Sequence, residues 1–295
     1  MADMRCLAAW SALLSLLVSA PPLHAWGPEG HAIVAEIAWD HLTAPARQNV
    51  HKLLGNAGLA SIASWPDEIR PALPETSSWH YVNIPSNADG YLAARDCPGG
   101  NCVVAKIAFY GQVLGDPRFS PEAHLLALKF LVHFVGDVHQ PFHALADGRG
   151  GNDIRVINHG MSQCGNNPCE LHGVWDGDLV TESGMDAPQY SSFLEKRIRR
   201  DHLSPGSPDP SVWADESWKL AKNALVQPGT ALDEAYYQQE RPIVEQRLAL
   251  AGLRLARILN QDLDSAPTLP MAIPGSTNKS ESMPAPGSKA GSKPN

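Results

Sequence analysis

Apolar residues recur every three or four positions along much of this 295-residue chain, which is the pattern of amphipathic helices. Six segments show it, at 32–42, 45–54, 103–114, 121–138, 211–225 and 243–263. The alternation typical of strands is weak and limited to 81–84 and 154–157, which either pair with each other or are simply extended. The pattern therefore predicts an all-α, mainly helical domain with long functional loops at 64–101 and 144–170.

The first 25 residues do not follow this pattern. They contain Arg5, an apolar run from Leu7 to Val18 and a small residue, Ala25, as a secretory signal peptide does. The run is too short to be a permanent membrane anchor. We expect cleavage after Ala25, so that the mature protein begins at Trp26 and is secreted or periplasmic.

The end of the chain, 265–295, also differs from the rest. It is rich in Pro, Ser, Gly, Ala and Lys, and we expect a disordered tail. Residues 26–264 remain as one domain. The net charge of −8 argues against binding duplex nucleic acid through a broad basic face. Because no long unpaired apolar face stands out, we expect a monomer without a stable protein partner.

Four cysteines outside the predicted signal peptide form two pairs of equal spacing, Cys97 with Cys102 and Cys164 with Cys169. An even number in an exported chain favours two disulfides, and the alternative is free thiols or a soft-metal site. Because short loops gain little from cross-linking, such bridges would fix local segments rather than the whole fold.

Potential metal ligands are concentrated in the stretch 128–143, which is otherwise mostly apolar. His133 and Asp137 are four residues apart, so a helix places both side chains on one face. Pro141 ends or kinks that helix just before His143. Polar groups in an apolar helix are costly unless something satisfies them, which favours a metal site.

The four-residue spacing recurs at His172 and Asp176, whereas His31, Asp67 and His80 stand apart. Each of these is ambiguous alone, because a lone histidine is more often a core or surface residue and a single His–Asp pair is usually an ordinary ion pair. A set rich in His and Asp without Cys suits catalytic zinc better than a closed structural site.

Six motifs together resemble those of the zinc-dependent, single-strand-specific S1/P1 nuclease family, over about residues 26–262. They are Trp26-Gly27-x-x-Gly30-His31, Trp65-x-Asp67-x-x-Arg70, Trp79-His80-Tyr81, His133-x-x-x-Asp137-x-His139-Gln140-Pro141-x-His143, Gly150-Gly151-Asn152 and Leu171-His172-x-x-Trp175-Asp176. The family fold is mainly α-helical, contains three zinc ions and is shared with a bacterial zinc phospholipase C.

The resemblance implies three Zn²⁺ ions, with Asp137 as a bridge. Their ligands would be Asp67, His80, His133 and Asp137 for one; His143, His172 and Asp176 for a second; and Asp137, His31 and the α-amino nitrogen and carbonyl oxygen of Trp26 for the third. An uncleaved chain has an amide instead of an amine at Trp26 and could not supply that ligand.

The resemblance also implies roles in catalysis and substrate binding. Asp67, Arg70 and Asp137 would be catalytic, although Arg70 and Asp67 could form only an ordinary i,i+3 ion pair. Tyr81 would stack on a base, where the fungal pattern has Phe, and Asn152 would meet the base edge. His139 would have a supporting or packing role.

The implied activity is that of a secreted nuclease. It would hydrolyse single-stranded DNA and RNA to 5′-phosphorylated products with a zinc-activated water, and would also be a 3′-nucleotidase. The alternative enzyme is a zinc phospholipase C, against which stand Tyr81, Asn152 and the lack of an evident lipid-docking surface. A zinc-storage protein would be expected to contain a His-rich tract, and none exists.

Overall fold

The computed structural model describes residues 26–264; the predicted signal peptide, 1–25, and the predicted tail, 265–295, lie outside the described residues. The described part is dominated by helices, and its few strands have two residues each, so the predicted all-α class is confirmed. The helices are α1 Pro28–Asp40, α2 Ala44–Leu54, α3 Trp65–Ile69, α4 Ala93–Asp96, α5 Val103–Gly115, α6 Pro121–His139, α7 Leu171–Gly173, α8 Leu179–Thr181, α9 Ala187–Arg200, α10 Pro210–Ala224 and α11 Glu234–Asp264.

Shorter elements lie between these helices. A π-helical turn joins α7 to α8 at Val174–Asp178. Short segments of 3₁₀ helix occur at Leu59–Ile62, Pro74–His80, Pro98–Gly100, Pro141–Ala144 and Asp147–Arg149. The strands are β1 Ile157–Asn158, β2 Gln163–Cys164, β3 Asn167–Pro168 and β4 Ala231–Leu232, with β1 parallel to β4 and β2 antiparallel to β3.

All six predicted helices are present, but two features of the helical pattern were predicted incompletely. Helix α11 begins at Glu234, well before the predicted 243, and continues through Pro242. The early start was not predicted because the mostly polar segment 234–242 shows no apolar period. Helix α9 was not predicted, because it is largely polar and buries only a narrow stripe that includes Tyr190, Leu194 and Ile198. Its start signal was nevertheless available, since Asp186 and Gln189 form a capping box.

The two predicted extended segments do not pair with each other. Ile84 pairs instead with Leu145, and Arg155 pairs with Glu170. The first bridge joins the segment after His80 to the segment after α6. The second joins the segment after Asn152 to the residue that precedes α7. The predicted long loops are therefore held by these single bridges and by short helical turns.

Helix α6 lies at the centre of the core. Every residue from Phe130 to His139 is buried, since α6 packs against α1, α5, α10 and α11. Ser120 caps its first turn by accepting a hydrogen bond from Ala123 N at 3.2 Å. A helix buried on all sides can carry polar side chains only if they are satisfied inside the protein.

Helix α1 packs closely on α11 where a glycine removes a side chain. A Cβ on Gly252 would lie 2.4 Å from Ile37 Cγ2, so this approach needs glycine. The first and last helices of the described region therefore pack on each other. Helix α1 also packs on α6.

Both predicted disulfides are present, Cys97–Cys102 and Cys164–Cys169. The first precedes Val103, whose N–H donates to Tyr81 O at 3.1 Å. The second includes Cys169, whose carbonyl accepts from Val156 N at 3.1 Å. Each bridge therefore fixes a segment beside predicted substrate-binding residues, as short loops were expected to do. Between residues 26 and 264, no helix has the length and apolar character needed to cross a membrane.

Candidate metal centre

The structure brings all eight predicted side-chain ligands into three buried groups. Within each group, one nitrogen or oxygen of every side chain lies within 4.8 Å of the others. The groups are His31, His133 and Asp137; Asp67, His80 and His133; and His143, His172 and Asp176. They come from α1, α3, the turn ending at His80, α6, the turn after α6, α7 and the π-helical turn.

Helix α6 sets the geometry of the first two groups. His133 Nε2 lies 3.4 Å from Asp137 Oδ2, as the four-residue spacing predicted. His80 Nδ1 lies 3.0 Å from each of these atoms. Asp67 Oδ1 lies 3.5 Å from His133 Nε2 and 3.6 Å from His80 Nδ1. Four ligand atoms from three segments therefore surround one point.

The backbone fixes which nitrogen of three histidines faces these groups. Nδ1 is hydrogen-bonded to a carbonyl oxygen in His133 (Ala63 O, 2.7 Å), His143 (His80 O, 2.8 Å) and His172 (Gly150 O, 2.5 Å). Because a carbonyl only accepts, each Nδ1 carries the hydrogen and each Nε2 of the neutral ring presents a lone pair to its group.

The group of His143, His172 and Asp176 shows why these residues fit a cation. His143 Nε2 and His172 Nε2 lie 3.1 Å apart, and Asp176 Oδ2 lies 3.1 Å from His172 Nε2. Two neutral rings that face each other with lone pairs repel, and a carboxylate beside them adds a third acceptor. A metal ion satisfies all three, which is the donor set that zinc prefers in open sites.

His31 reaches the centre through a gap in α6. Its ring stacks on His133 with a centroid distance of 3.9 Å, and its Nε2 lies 3.4 Å from Asp137 Oδ1. A Cβ on Gly136 would lie 2.7 Å from His31 Nδ1. Neither nitrogen of this fully buried ring has a hydrogen-bond partner in the described structure, which fits a ligand rather than a core histidine.

Trp26 lies beside the same turn of α6. Its indole is fully buried, and its Cδ1 would lie 3.8 Å from a Cβ on Gly136. A Cβ on Gly30 would lie 2.6 Å from Trp26 Cβ, so the first turn of α1 needs glycine there. Gly27 N donates to Asp176 O at 2.6 Å. The predicted first residue of the mature chain is thus held between α6 and the π-helical turn.

Burial lowers the pKa of several histidines in the centre and raises the pKa of an aspartate. It lowers the pKa of His31 and His80 well below the usual value, and nearby His133 adds to this effect. Burial and His172 lower the pKa of His143 to about 4. The pKa of the Asp137 carboxyl is raised well above its usual range by burial.

Two histidines in the centre behave differently. Burial alone would lower the pKa of His133, but Asp137 and Asp67 outweigh it and raise the pKa. Burial is also outweighed at His172, whose pKa is raised by Asp176. A bound cation would favour carboxylates and neutral rings throughout, so metal and protons compete for these groups.

Arg70 lies against the candidate ligand Asp67. Its guanidinium NH2 is 2.8 Å from Asp67 Oδ1, and its side chain is only 12% exposed. The predicted i,i+3 ion pair therefore exists, but it is largely buried, where solvent screens the attraction between the two charges less than on the surface.

The predicted substrate-binding residues border the centre. Tyr81 directly follows His80 and is 39% exposed, while the N–H of the next residue, Val82, donates to His143 O at 2.8 Å. Asn152 is buried, its Nδ2 donates to Arg149 O at 2.7 Å, and its Oδ1 has no partner in the described structure. Tyr81 thus offers an exposed ring, and Asn152 offers a buried acceptor without a partner in the described structure.

His139 belongs to none of the three groups. Its ring is fully buried, with Nδ1 2.7 Å from Val135 O and Nε2 accepting from Arg254 at 2.8 Å. Burial, followed by the charges of Arg247 and Arg254, holds the pKa of His139 well below its usual value. The neutral ring ties the end of α6 to α11, which agrees with the predicted supporting role.

Two arginines that anchor this end of α6 were not predicted from the sequence. Arg247 Nε donates to His139 O at 3.2 Å, and both Arg247 and Arg254 pair with Glu216 on α10 at 2.7 and 2.6 Å. A signal was present, because two arginines seven residues apart share one face of the helix and flank the apolar stretch 248–253.

Comparisons with known proteins place the whole described region in one family. A family model described as S1/P1 Nuclease matches residues 26–264. Endonuclease 2 of Arabidopsis thaliana is 32% identical over 279 residues, covering 83% of this chain and 93% of that protein. Endonuclease 3 of the same plant is 34% identical over 270 residues, with 80% and 88% covered. Nuclease P1 of Penicillium citrinum is 30% identical over 271 residues, with 80% and 97% covered.

Proposed function

The chain belongs to the S1/P1 nuclease family and is a phosphodiester-hydrolysing nuclease, and we propose that it is a secreted endonuclease dependent on three zinc ions. We propose further that it hydrolyses single-stranded DNA and RNA to 5′-phosphorylated products and acts as a 3′-nucleotidase on mononucleotides. The observation that carries this proposal is the convergence of three buried His and Asp groups in a chain of that family.

We assign the ligands as the sequence motifs imply: Asp67, His80, His133 and Asp137 for one ion; His143, His172 and Asp176 for the second; Asp137, His31 and the main-chain nitrogen and oxygen of Trp26 for the third. The two oxygens of Asp137 support a bridging role. Oδ2 lies 3.0 Å from His80 Nδ1, and Oδ1 lies 3.4 Å from His31 Nε2. One carboxylate therefore faces two groups.

Hydrolysis of a phosphodiester needs an activated water and neutralisation of negative charge, and zinc supplies both when it is bound. Among the side chains, Arg70 orients Asp67 and meets the charge that develops on the phosphate oxygens. A guanidinium has several N–H donors in a rigid plane, so it can hold a carboxylate and a phosphate oxygen at once.

Substrate preference follows from Tyr81 and Asn152. The exposed ring of Tyr81 can stack on any base, but only when that base is unpaired, which gives single-strand preference without sequence recognition. The Oδ1 of Asn152, which is buried and has no partner in the described structure, is the acceptor that we assign to a base edge. Both residues lie next to ligand-bearing segments, so a stacked nucleotide would hold its phosphate near the metal groups.

Export completes the proposal. We propose that residues 1–25 are a signal peptide cleaved after Ala25, that 26–264 are the nuclease domain and that 265–295 are a tail outside it. Two disulfides support an oxidising compartment, since such bridges persist outside the cytosol. Cleavage would also create the free amine at Trp26 that the third zinc requires.

The test is release of acid-soluble nucleotides from heat-denatured DNA by the zinc-loaded chain that begins at Trp26. We expect release that a zinc chelator abolishes and added zinc restores. Asp137→Asn should reduce it by roughly two orders of magnitude or more, whereas Asp262→Asn, the same change outside the three groups, should not. No release from a preparation that contains zinc, or release that persists in chelator, would overturn the proposal.

A further inference from the structure

Gln140 lies directly after α6, between the ligands Asp137 and His143, and its side chain is completely buried. Both ends of its amide are used. Oε1 accepts a hydrogen bond from Phe142 N, and Nε2 donates to Asp176 Oδ1. A glutamine in this position therefore connects the turn that carries His143 to the carboxylate of Asp176.

The chemistry of the two partners fixes the orientation of this amide. A backbone N–H can only donate, so the atom facing Phe142 N must be the oxygen of Gln140. A carboxylate in the metal centre accepts, so the NH₂ group must face Asp176. Turning the amide over would lose both hydrogen bonds at once, and burial excludes water as a substitute.

This contact divides the carboxylate of Asp176 between two tasks. Oδ1 is held by Gln140, while Oδ2 lies 3.1 Å from His172 Nε2 and faces the group of His143 and His172. Asp176 stands on the π-helical turn, a kind of element that is frequent at functional sites. Within residues 26–264, the side chain of Gln140 hydrogen-bonds to Asp176 Oδ1 and holds it in place.

We propose that Gln140 is a positioning residue for the zinc ion of His143, His172 and Asp176. It aims Asp176 Oδ2 at the ion and, through Phe142 N, holds the turn of His143, so two ligands from distant segments keep one geometry. This inference rests on the proposed function, because it requires that zinc binds to this group. Hydrogen bonds from neighbouring groups to metal ligands typically change metal affinity by roughly 10- to 100-fold.

The test compares Gln140→Glu with a matched change elsewhere. Gln140→Glu keeps the size and the oxygen for Phe142 N but replaces the donor to Asp176 with a second acceptor. The control is Asn49→Asp, since Asn49 is also a buried amide, with Nδ2 donating to Leu263 O at 2.8 Å outside the metal groups. Zinc affinity is measured by competition with a chromophoric chelator, and thermal stability is measured in zinc-free buffer.

We expect Gln140→Glu to weaken one zinc ion per chain by roughly 10- to 100-fold, and Asn49→Asp to lower thermal stability without changing zinc affinity. Gln140→Met, which is uncharged and of equal length, should weaken the same ion if Gln140→Glu does not fold. Wild-type zinc affinity in the folded glutamine variants would overturn this inference alone. A wild-type chain that binds no zinc would overturn the proposed function as well.

A double variant separates positioning from packing. Gln140→Glu combined with Asp176→Asn exchanges donor and acceptor, so the hydrogen bond can form again in reverse. We expect its loss of zinc affinity to be at least about threefold smaller than the product of the two single losses. Losses that simply multiply would mean that the two side chains act independently and would overturn the positioning role.

Discussion

His31 occupies the space that a side chain on Gly136 would need: a Cβ there would lie 2.7 Å from His31 Nδ1 and 3.0 Å from its Cε1. The glycine is therefore a structural requirement of the metal centre although it contributes no ligand. Alanine is the better helix former by about 1 kcal/mol, so the helix alone would favour a substitution that the centre does not allow.

Gly136→Ala should displace His31 from Asp137. We expect loss of the zinc ion assigned to His31 and Asp137 and a fall in kcat/KM of roughly a hundredfold. Zinc per chain and steady-state rates on single-stranded DNA measure this. The matched control is Gly111→Ala in α5, where the nearest atom to an added Cβ is Asp262 Oδ2 at an ordinary 3.5 Å. Equal behaviour of the two variants would contradict the steric argument.

Arg70→Lys should keep the charge next to Asp67 but lose the planar array of donors. We expect kcat to fall by roughly 10- to 100-fold, with KM nearly unchanged, because the lost contacts serve the developing phosphate charge. The control is Arg118→Lys, an 88% exposed side chain paired with Asp116. If Arg70→Lys is as active as this control, Arg70 has no role beyond its ion pair.

Tyr81→Ala should weaken substrate binding, whereas Tyr81→Phe should retain it. A stacked base contributes roughly 1 to 3 kcal/mol, so KM for a short oligonucleotide should rise about fivefold or more in the alanine variant. Phe119→Ala is a fair control, since Phe119 has the same 39% exposure. Similar KM values for all three variants would argue against stacking on Tyr81.

Asp262 should make stability depend on pH in a defined direction. Burial raises the pKa of its carboxyl to about 7 from the usual 3.8. The folded chain therefore binds this proton more tightly than the unfolded chain, and the group becomes increasingly destabilising as pH rises from about 4 to about 7. Above that range the effect is constant.

Asp262→Asn should therefore be more stable than wild type at pH 8, by about 2 kcal/mol after allowing for the partial exposure of the side chain. The difference should shrink towards zero near pH 4. Urea unfolding of both zinc-free proteins across this range measures it. A stability difference that does not change with pH would show that the carboxyl titrates normally in the folded protein.

Local rules predicted much of the fold because most helices expose one polar face. They failed where a helix is largely polar with only a narrow apolar stripe, as in α9, or where burial begins within a polar segment, as at Tyr237 before the predicted start of α11. In each case the deciding interactions come from packing against distant segments, which periodicity within one segment does not contain.

The candidate site divides in the same way. Helical spacing alone paired His133 with Asp137, and family resemblance supplied His31, Asp67 and His80 from elsewhere in the chain. Neither identified Gly136, and the motif that contains Gln140 gave this residue no role, because their importance lies in the space beside His31 and in the orientation of Asp176. Such relationships exist only after the segments have come together.

The ligands lie on segments that stretch from α1 to the π-helical turn, so about half of the 295-residue chain separates His31 from Asp176. In an unfolded chain these side chains cannot surround a common ion. Zinc should therefore bind the folded state almost exclusively and stabilise it in proportion to the logarithm of its free concentration. Bound zinc would then stabilise the folded state as well as support catalysis. Zinc-poor surroundings would lower resistance to heat and to proteases together with the rate of hydrolysis.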